Sequence, residues 1–242
     1  MSASARPPHA PRIGTAGWSI PKQYAAAFPP SGSHLERYAQ RLNAVEINSS
    51  FYRPHRRATY ERWADTVPEN FAFAVKAPRA ITHDARLADV EPALDRFLGE
   101  ATGLGGKLGP LLFQLPPSFA FDVRKTRAFL KTLRARHGGA VVWEPRHATW
   151  FTPRAEELLA EYRVARVAAD PAVVSAAAEP GGWDRLQYFR LHGAPRIYYS
   201  DYGADDIARV AARMTARSWC IFDNTALGAA TANALALTKA LA

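Results

Sequence analysis

The sequence predicts an α/β protein built as a single TIM-type (β/α)8 barrel, with its sixth helix short or missing. Three observations carry that expectation. Short apolar runs recur about eight times, helical patterns lie between them, and each run stops at one polar or charged residue before a turn. Strands of a buried parallel sheet read as continuous apolar runs, because both faces are covered. Strand and helix signals in alternation argue a parallel sheet. About eight such units in 242 residues favour closure, the barrel being typically roughly 250 residues long.

The elements follow in order. Residues 1–11 read as a disordered leader, and residues 12–242 as the barrel domain. The first run, IGTAGWS from Ile13, is the weakest copy of the pattern. Ser33 and Glu36 have the spacing of a capping box, with Leu35, Tyr38, Ala39 and Leu42 following at helical spacing. The second run, AVEINSS, is broken by Glu46, and a short helix over Thr59 to Asp65 follows it. The third run, FAFAVKAP, is broken by Lys76. Leu94, Phe97, Leu98 and Ala101 then mark a helix ended by glycines at 103, 105 and 106. The fourth run stops at Gln114, and a basic helix from about Asp122 to Arg136 buries Phe129, Leu130 and Leu133. The fifth stops at Glu144, and Thr152 with Pro153 provides a cap and a preset φ for the next helix. The sixth stops at Asp170. Beyond it two prolines and paired glycines leave room for no more than a helical turn before Leu186. The seventh ends at His192 and the eighth at Asp223. Helices are expected over Asp205 to Ala216 and Ala226 to Leu241.

Composition narrows the class. Apolar residues make up 48% of the chain, which suits a globular protein. Cys220 stands alone in an apolar run, so no disulfide forms within the chain, in keeping with a reducing, cytoplasmic setting. No run approaches the ~18 apolar residues of a membrane span. The net charge of +9 includes Arg53, Arg56, Arg57, Arg79, Arg86 and Arg146, all placed after apolar runs. Gathered on one face, they would attract anions.

In a parallel barrel the strand C-terminal ends build the active site, so the polar stops are the candidates. Glu46 in a buried run needs a partner, and Lys76 on the next strand is the expected one. Glu46, Glu144 and His192 are the candidate catalytic residues. Candidate substrate-binding residues are Lys76, His83, Gln114, Arg146, His147, Arg190, Tyr202 and Asn224. Glu144 and Arg146 share one side of an extended strand, and Arg190 and His192 share another. Arg146 has the fork geometry that grips a carboxylate or phosphate. Tyr198, Tyr199 and Tyr202 stand where a loop would close over a ligand. Glu144, Asp170, His192 and Asp223 end four successive runs and would suit a manganese, zinc or magnesium ion. No phosphate-cradling loop, G-x-G-x-x-G, H-E-x-x-H or G-x-S-x-G is present, so no nucleotide cofactor is expected.

GTAGWS at Gly14, VEINSSFYR at Val45, FAVKAPRAITHD at Phe73, KLGPLLFQLPPSF at Lys107 and the Glu-Pro-Arg-His unit at Glu144 together resemble the YecE-like family, a domain of unknown function. The resemblance spans Ile13 to the C-terminal helix. It implies a TIM-type barrel and no settled activity. The chain departs from the family pattern at Asp223, where Asn is usual, and at Pro145, where an aromatic residue is expected. The expected function is an enzyme of proton transfer or hydrolysis. Its substrate would be small, polar and anionic, sugar-like or phosphorylated. The alternatives are a metal-dependent nuclease acting on DNA or RNA, and a non-catalytic module that binds a phosphorylated ligand or RNA.

Overall fold

The computed structural model describes residues 10–242. The chain runs β1 (Arg12–Thr15), α1 (His34–Ala39), β2 (Ala44–Ile47), α2 (Arg57–Thr66), β3 (Ala72–Lys76), α3 (Glu91–Ala101), β4 (Leu108–Gln114), α4 (Val123–Arg136), β5 (Val141–Glu144), α5 (Pro153–Glu161), β6 (Val164–Arg166), β7 (Ala168–Asp170), β8 (Gly181–Gly182), β9 (Gln187–Leu191), α6 (Ala204–Ala211), β10 (Ser218–Phe222) and α7 (Ala229–Ala240). The first nine residues of the expected leader lie outside the described residues. Pro11, the last residue of that expected leader, is tied to the domain, its carbonyl accepting from Asn43 Nδ2 at 2.9 Å.

The strands form two sheets, not the one closed ladder expected. Six strands pair in the order β2-β3-β4-β5-β6-β8 and four in the order β1-β10-β9-β7. Every pairing is parallel except β6 with β8. The reason lies at two places. Val167 divides the sixth run: its N–H still donates to Trp143 on β5, at 2.9 Å, while Ala168 already stands opposite Phe189 on β9. Between β1 and β2 a single parallel bridge joins Ala16 to Glu46, backed by Gly17 N–H donating to the Glu46 carbonyl at 2.9 Å. Gly14 lets these strands approach, since a Cβ there would overlap the Ala44 carbonyl.

Alternation sorts the strand residues between two apolar clusters. One, rich in aromatic and branched side chains, lies between the strands and the helices. The other gathers Ala44, Ala74, Leu112, Val142, Ala165, Tyr188, Trp219 and Ile221, from strands of both sheets.

Helix boundaries follow the local chemistry, with three departures. Ser33 and Glu36 form the reciprocal capping box, and Asp122 caps α4 by accepting from Arg124 and Lys125. Thr152 sits at the expected cap of α5, but its side chain makes no capping bond. α6 stops at Ala211, five residues earlier than expected, and α7 begins at Ala229, after Gly228 turns the chain at φ 84°. In place of a sixth helix there is one turn over Ser175–Ala178 and the two-residue β8. Cys220 is buried and free. No helix among the described residues is long and apolar enough to cross a membrane.

Candidate functional site

The polar stops fall where the strands end. Lys76, Gln114 and Glu144 are the last residues of β3, β4 and β5, and Glu46 is next to last in β2. Tyr188 and Arg190 lie on β9 at a two-residue spacing that continues to His192, just past its end. Asp223 follows β10 directly. Period-two alternation turns these side chains to one side, and the fold gathers most of them into one buried group.

Arg190 is its centre and is fully buried. Its Nε donates to both oxygens of Glu46 at 3.2 Å, and its Nη2 donates to Glu46 Oε1 at 2.7 Å. Nη1 donates to Glu144 Oε2 at 3.1 Å, and Nη2 lies 3.0 Å from Asp223 Oδ2. The Tyr188 hydroxyl donates to Glu46 Oε2 at 2.8 Å. Gln114 Nε2 donates to Glu144 Oε2 at 3.0 Å.

His192 is held at both ring nitrogens. Nδ1 lies 3.0 Å from Asp223 Oδ2, and Nε2 lies 2.8 Å from Glu144 Oε1. Arg146 Nη2 stands 2.8 Å from the same Nε2 and 2.7 Å from Glu144 Oε1. The neutral ring, with its proton on Nδ1, donates to Asp223 and accepts from Arg146. The doubly protonated ring donates to both carboxylates. One proton on Nε2 therefore exchanges one satisfied partner for another.

The charges of this interior nearly balance. Burial by itself would raise the pKa of Glu144, but Arg146, Arg190 and His192 outweigh it and hold the carboxyl well below its usual range. Asp223 is likewise opposed by burial and lowered by Arg190 and His192. Arg190 is opposed by burial, yet Asp223, Glu46 and Glu144 keep it firmly protonated. Lys76 differs. Burial, then repulsion from Arg190, brings it down to about 8, although Glu46, Glu144 and Asp223 pull the other way. Its ammonium lies 4.1 Å from the centre of the Phe51 ring and joins no carboxylate in a salt bridge among the described residues.

Several sequence expectations are corrected by this geometry. The buried partners of Glu46 are Arg190 and Tyr188, not Lys76, because the guanidinium fork reaches it from across the interior. His147 turns away and caps the turn at Ala148–Trp150, its Nδ1 accepting from Thr149 N–H at 3.3 Å. His83 is not oriented by Asp84, which pairs with Arg79 at 2.9 Å. It packs edge-on against Phe51, ring centres 4.9 Å apart, with its Nδ1 at 2.9 Å from the Thr82 hydroxyl. Tyr202 is a buried strut, its hydroxyl accepting from Gly193 N–H at 2.8 Å and donating to Asp170 Oδ2 at 2.7 Å. Asn224 fastens the loop after β9, donating to the Ser200 carbonyl and to Asn233 at 2.9 Å. Of the three loop tyrosines, Tyr198 faces the cluster, its ring 6.1 Å from that of His192.

The expected metal set does not fit a metal. Both nitrogens of His192 are engaged, Asp170 belongs to Tyr202, and Arg190 already places a cation among Glu46, Glu144 and Asp223. No group of three or more His, Cys, Asp or Glu side chains among the described residues is arranged to hold an ion. Two participants escaped the sequence reading. Tyr188 was legible in the alternation of Tyr188, Arg190 and His192. Phe51 had no sequence signal, since its place beside Lys76 depends on the turn after β2.

The family profile for "Protein of unknown function DUF72" matches residues 12–242. YecE of Escherichia coli K12 is 30% identical over 146 residues, 60% of this chain and 52% of the relative. YunF of Bacillus subtilis 168 is 31% identical over 152 residues, 58% of this chain and 52% of the relative. The chain thus spans about half the length of these curated relatives. The crystal structure of a DUF72 family protein from Enterococcus faecalis V583 superposes with a TM-score of 0.80 at 23% identity, covering 95% of this chain and 94% of that one, a likeness of fold alone. A profile match over nearly the whole described chain, supported by these relatives, makes the chain a member of the DUF72 family.

Proposed function

We propose that the chain is an enzyme that moves a proton on a small, polar, anionic substrate at the strand C-terminal ends, the two sheets serving as halves of one barrel-like wall. The observation that carries this reading is His192, buried and gripped at both nitrogens by carboxylates, with Arg146 on its Nε2. A ring so fixed keeps its orientation while its protonation changes. Arg146, whose side chain is 15% exposed, is placed to draw the substrate's negative group toward that ring. Lys76, which interacts with Glu144 and Arg190, adds positive charge to the same interior. Glu144 and Asp223 have depressed pKa values and so orient the ring instead of donating protons themselves. Phosphorylated or acidic sugar-like compounds have both the charge and the exchangeable carbon-bound protons this reading requires.

Proton NMR in deuterium oxide, over a panel of sugar phosphates and small keto and hydroxy acids, tests it. Deuterium should enter one carbon-bound position of a panel member. His192→Gln and Glu144→Gln should abolish the exchange while leaving the circular dichroism of the fold intact. Exchange that survives in both variants would sink the assignment.

One observation favours a second reading, a module that binds RNA or a phosphorylated ligand without catalysis. Glu46 and Glu144 are both committed to ion pairs. A separate cavity of about 380 Å³ lies among Arg53, Arg79 and Arg96, with Tyr52 73% exposed at its rim. Arginines beside an exposed aromatic ring suit a stacked base. Binding of single-stranded RNA that weakens steeply with salt and with Tyr52→Ala, in a protein inert toward the panel, would favour this reading over the first.

A further inference from the structure

Lys76 is the charged side chain of the interior that the ion-pair network leaves over. Glu46, Glu144 and Asp223 are each committed to Arg190, and Arg146 pairs with Glu144 through Nη2. The Lys76 residue is 95% removed from solvent, being 5% exposed. Its backbone is pinned, since the Ser50 hydroxyl donates to its carbonyl at 2.7 Å and Ala77 N–H donates to Leu112 at 2.8 Å. Its amine rests on the face of Phe51, whose edge is in turn packed by His83. A buried amine on an aromatic floor, outside any salt bridge and repelled by Arg190, holds its proton less firmly than an exposed lysine, although Glu46, Glu144 and Asp223 pull the other way. Such an amine is a nucleophile.

We propose that Lys76 forms a covalent imine with the carbonyl group of an aldehyde or keto acid, the acid group being held by Arg146. The inference rests on the reading of Arg146 as an anion site. In the step itself, the lone pair of neutral Nζ adds to the carbonyl carbon and the carbonyl π pair moves to oxygen; Nζ then gives up one of its two protons and the oxygen takes one up, which leaves a neutral carbinolamine. Protonation of its hydroxyl lets that oxygen leave as water while the nitrogen lone pair closes the double bond, giving a protonated imine. No oxidant or reductant is consumed. His192, bound like Lys76's neighbour Arg190 to Glu144 and Asp223, is the group of this interior assigned to supply and recover protons. The iminium is an electron sink, so it makes the adjacent carbon-bound proton acidic, which is the chemistry proposed for this site.

Glyoxylate with borohydride is the probe, applied to the whole chain. Reduction traps any imine as a carboxymethyl group on the lysine, and peptide mass mapping locates it. Lys76 should be labelled more than about tenfold faster than Lys22, Lys107, Lys125, Lys131 or Lys239, as expected for an amine that loses its proton units of pH earlier. Its labelling rate should rise through about pH 8. Lys76→Met should lose the fast label and keep the fold by circular dichroism. Labelling spread evenly over the lysines, or confined to exposed ones, overturns the proposal. Oxalate, an anion without a reactive carbonyl, separates the two readings. If oxalate raises the melting temperature of the wild type but not of Arg146→Met, while Lys76 stays unlabelled, the anion site stands and the imine falls. If Lys76 is labelled fast and oxalate has no effect, the imine stands and the anion site falls.

Discussion

Replacing Lys76 by Met should make the protein more stable near neutral pH. The two side chains are similar in length, and Met keeps the packing against Phe51 while removing the charge. The amine titrates at about 8 in the folded protein against an ordinary 10.5. The folded chain therefore binds fewer protons than the unfolded chain between those values, and stability rises with pH across that window. Below about pH 8 the penalty is present in full, and above about 10.5 it is gone. A difference of roughly 2.5 pH units at about 1.4 kcal/mol each gives a penalty on the order of 3 kcal/mol. Urea unfolding at about pH 7 should show Lys76→Met gaining up to that amount, and the gain should shrink steadily between about pH 8 and 10. The comparison of variant with wild type cancels the titration of the buried tyrosines. A variant less stable than wild type at neutral pH, with no trend above it, would refute the reasoning. It would mean that the ammonium holds a carboxylate in a favourable pair.

Other substitutions probe the network and the caps. Arg190→Met leaves Glu46, Glu144 and Asp223 without their common cation. Breaking a buried pair costs about 3–5 kcal/mol, so the variant should unfold in much less urea. Tyr188→Phe removes the hydroxyl donated to Glu46 and should cost about 1–3 kcal/mol, because the accepting oxygen stays buried. Thermal denaturation can measure it, and no loss would mean that Arg190 alone satisfies Glu46. Asp122→Ala should cost about 1 kcal/mol, as expected for a working helix cap, while Thr152→Ala should cost only a few tenths. Equal losses would show that Thr152 caps α5 after all.

The sequence shows the strands and their order because parallel strands, covered on both faces, must be apolar, and an apolar run leaves its mark without an alignment. The polar stops were legible for the same reason: Glu46, Lys76, Glu144 and Asp223 interrupt runs that have no other cause to be interrupted. Partner choice was not legible. Glu46 and Arg190 are 144 residues apart, and nothing local tells Glu46 to prefer Arg190 over Lys76. That depends on which side chain is long enough and forked enough to cross the interior. The division of the sixth run at Val167 was equally hidden, since its residues alternate without a break and change partner only in space. The partners of Tyr202 and Asn224 were hidden for a different reason. These two residues lie in the loop and strand end where ligand contacts are expected, but backbone groups there also need partners, and those needs claimed them.

The central arginine links fold and site in one argument. Glu46 belongs to the six-stranded sheet, Arg190 to the four-stranded sheet, and Asp223 directly follows β10 of the latter, so the Arg190 fork fastens the two sheets where only the Ala16–Glu46 bridge joins β1 to β2. A divalent ion would neutralise the same carboxylates, but Arg190 supplies that charge from the chain itself and does so with directed bonds. The consequence for chemistry is direct. A carboxylate bound to a permanent cation is a poor proton carrier, because its own proton affinity has been lowered. Glu144, one of the two glutamates that sequence reasoning puts first, is therefore poorly suited to carry protons. On the proposed reading the task passes to the groups at the edge of the network: His192, which has a hydrogen-bond partner in either state, and Lys76, which has no anionic partner in a salt bridge among the described residues.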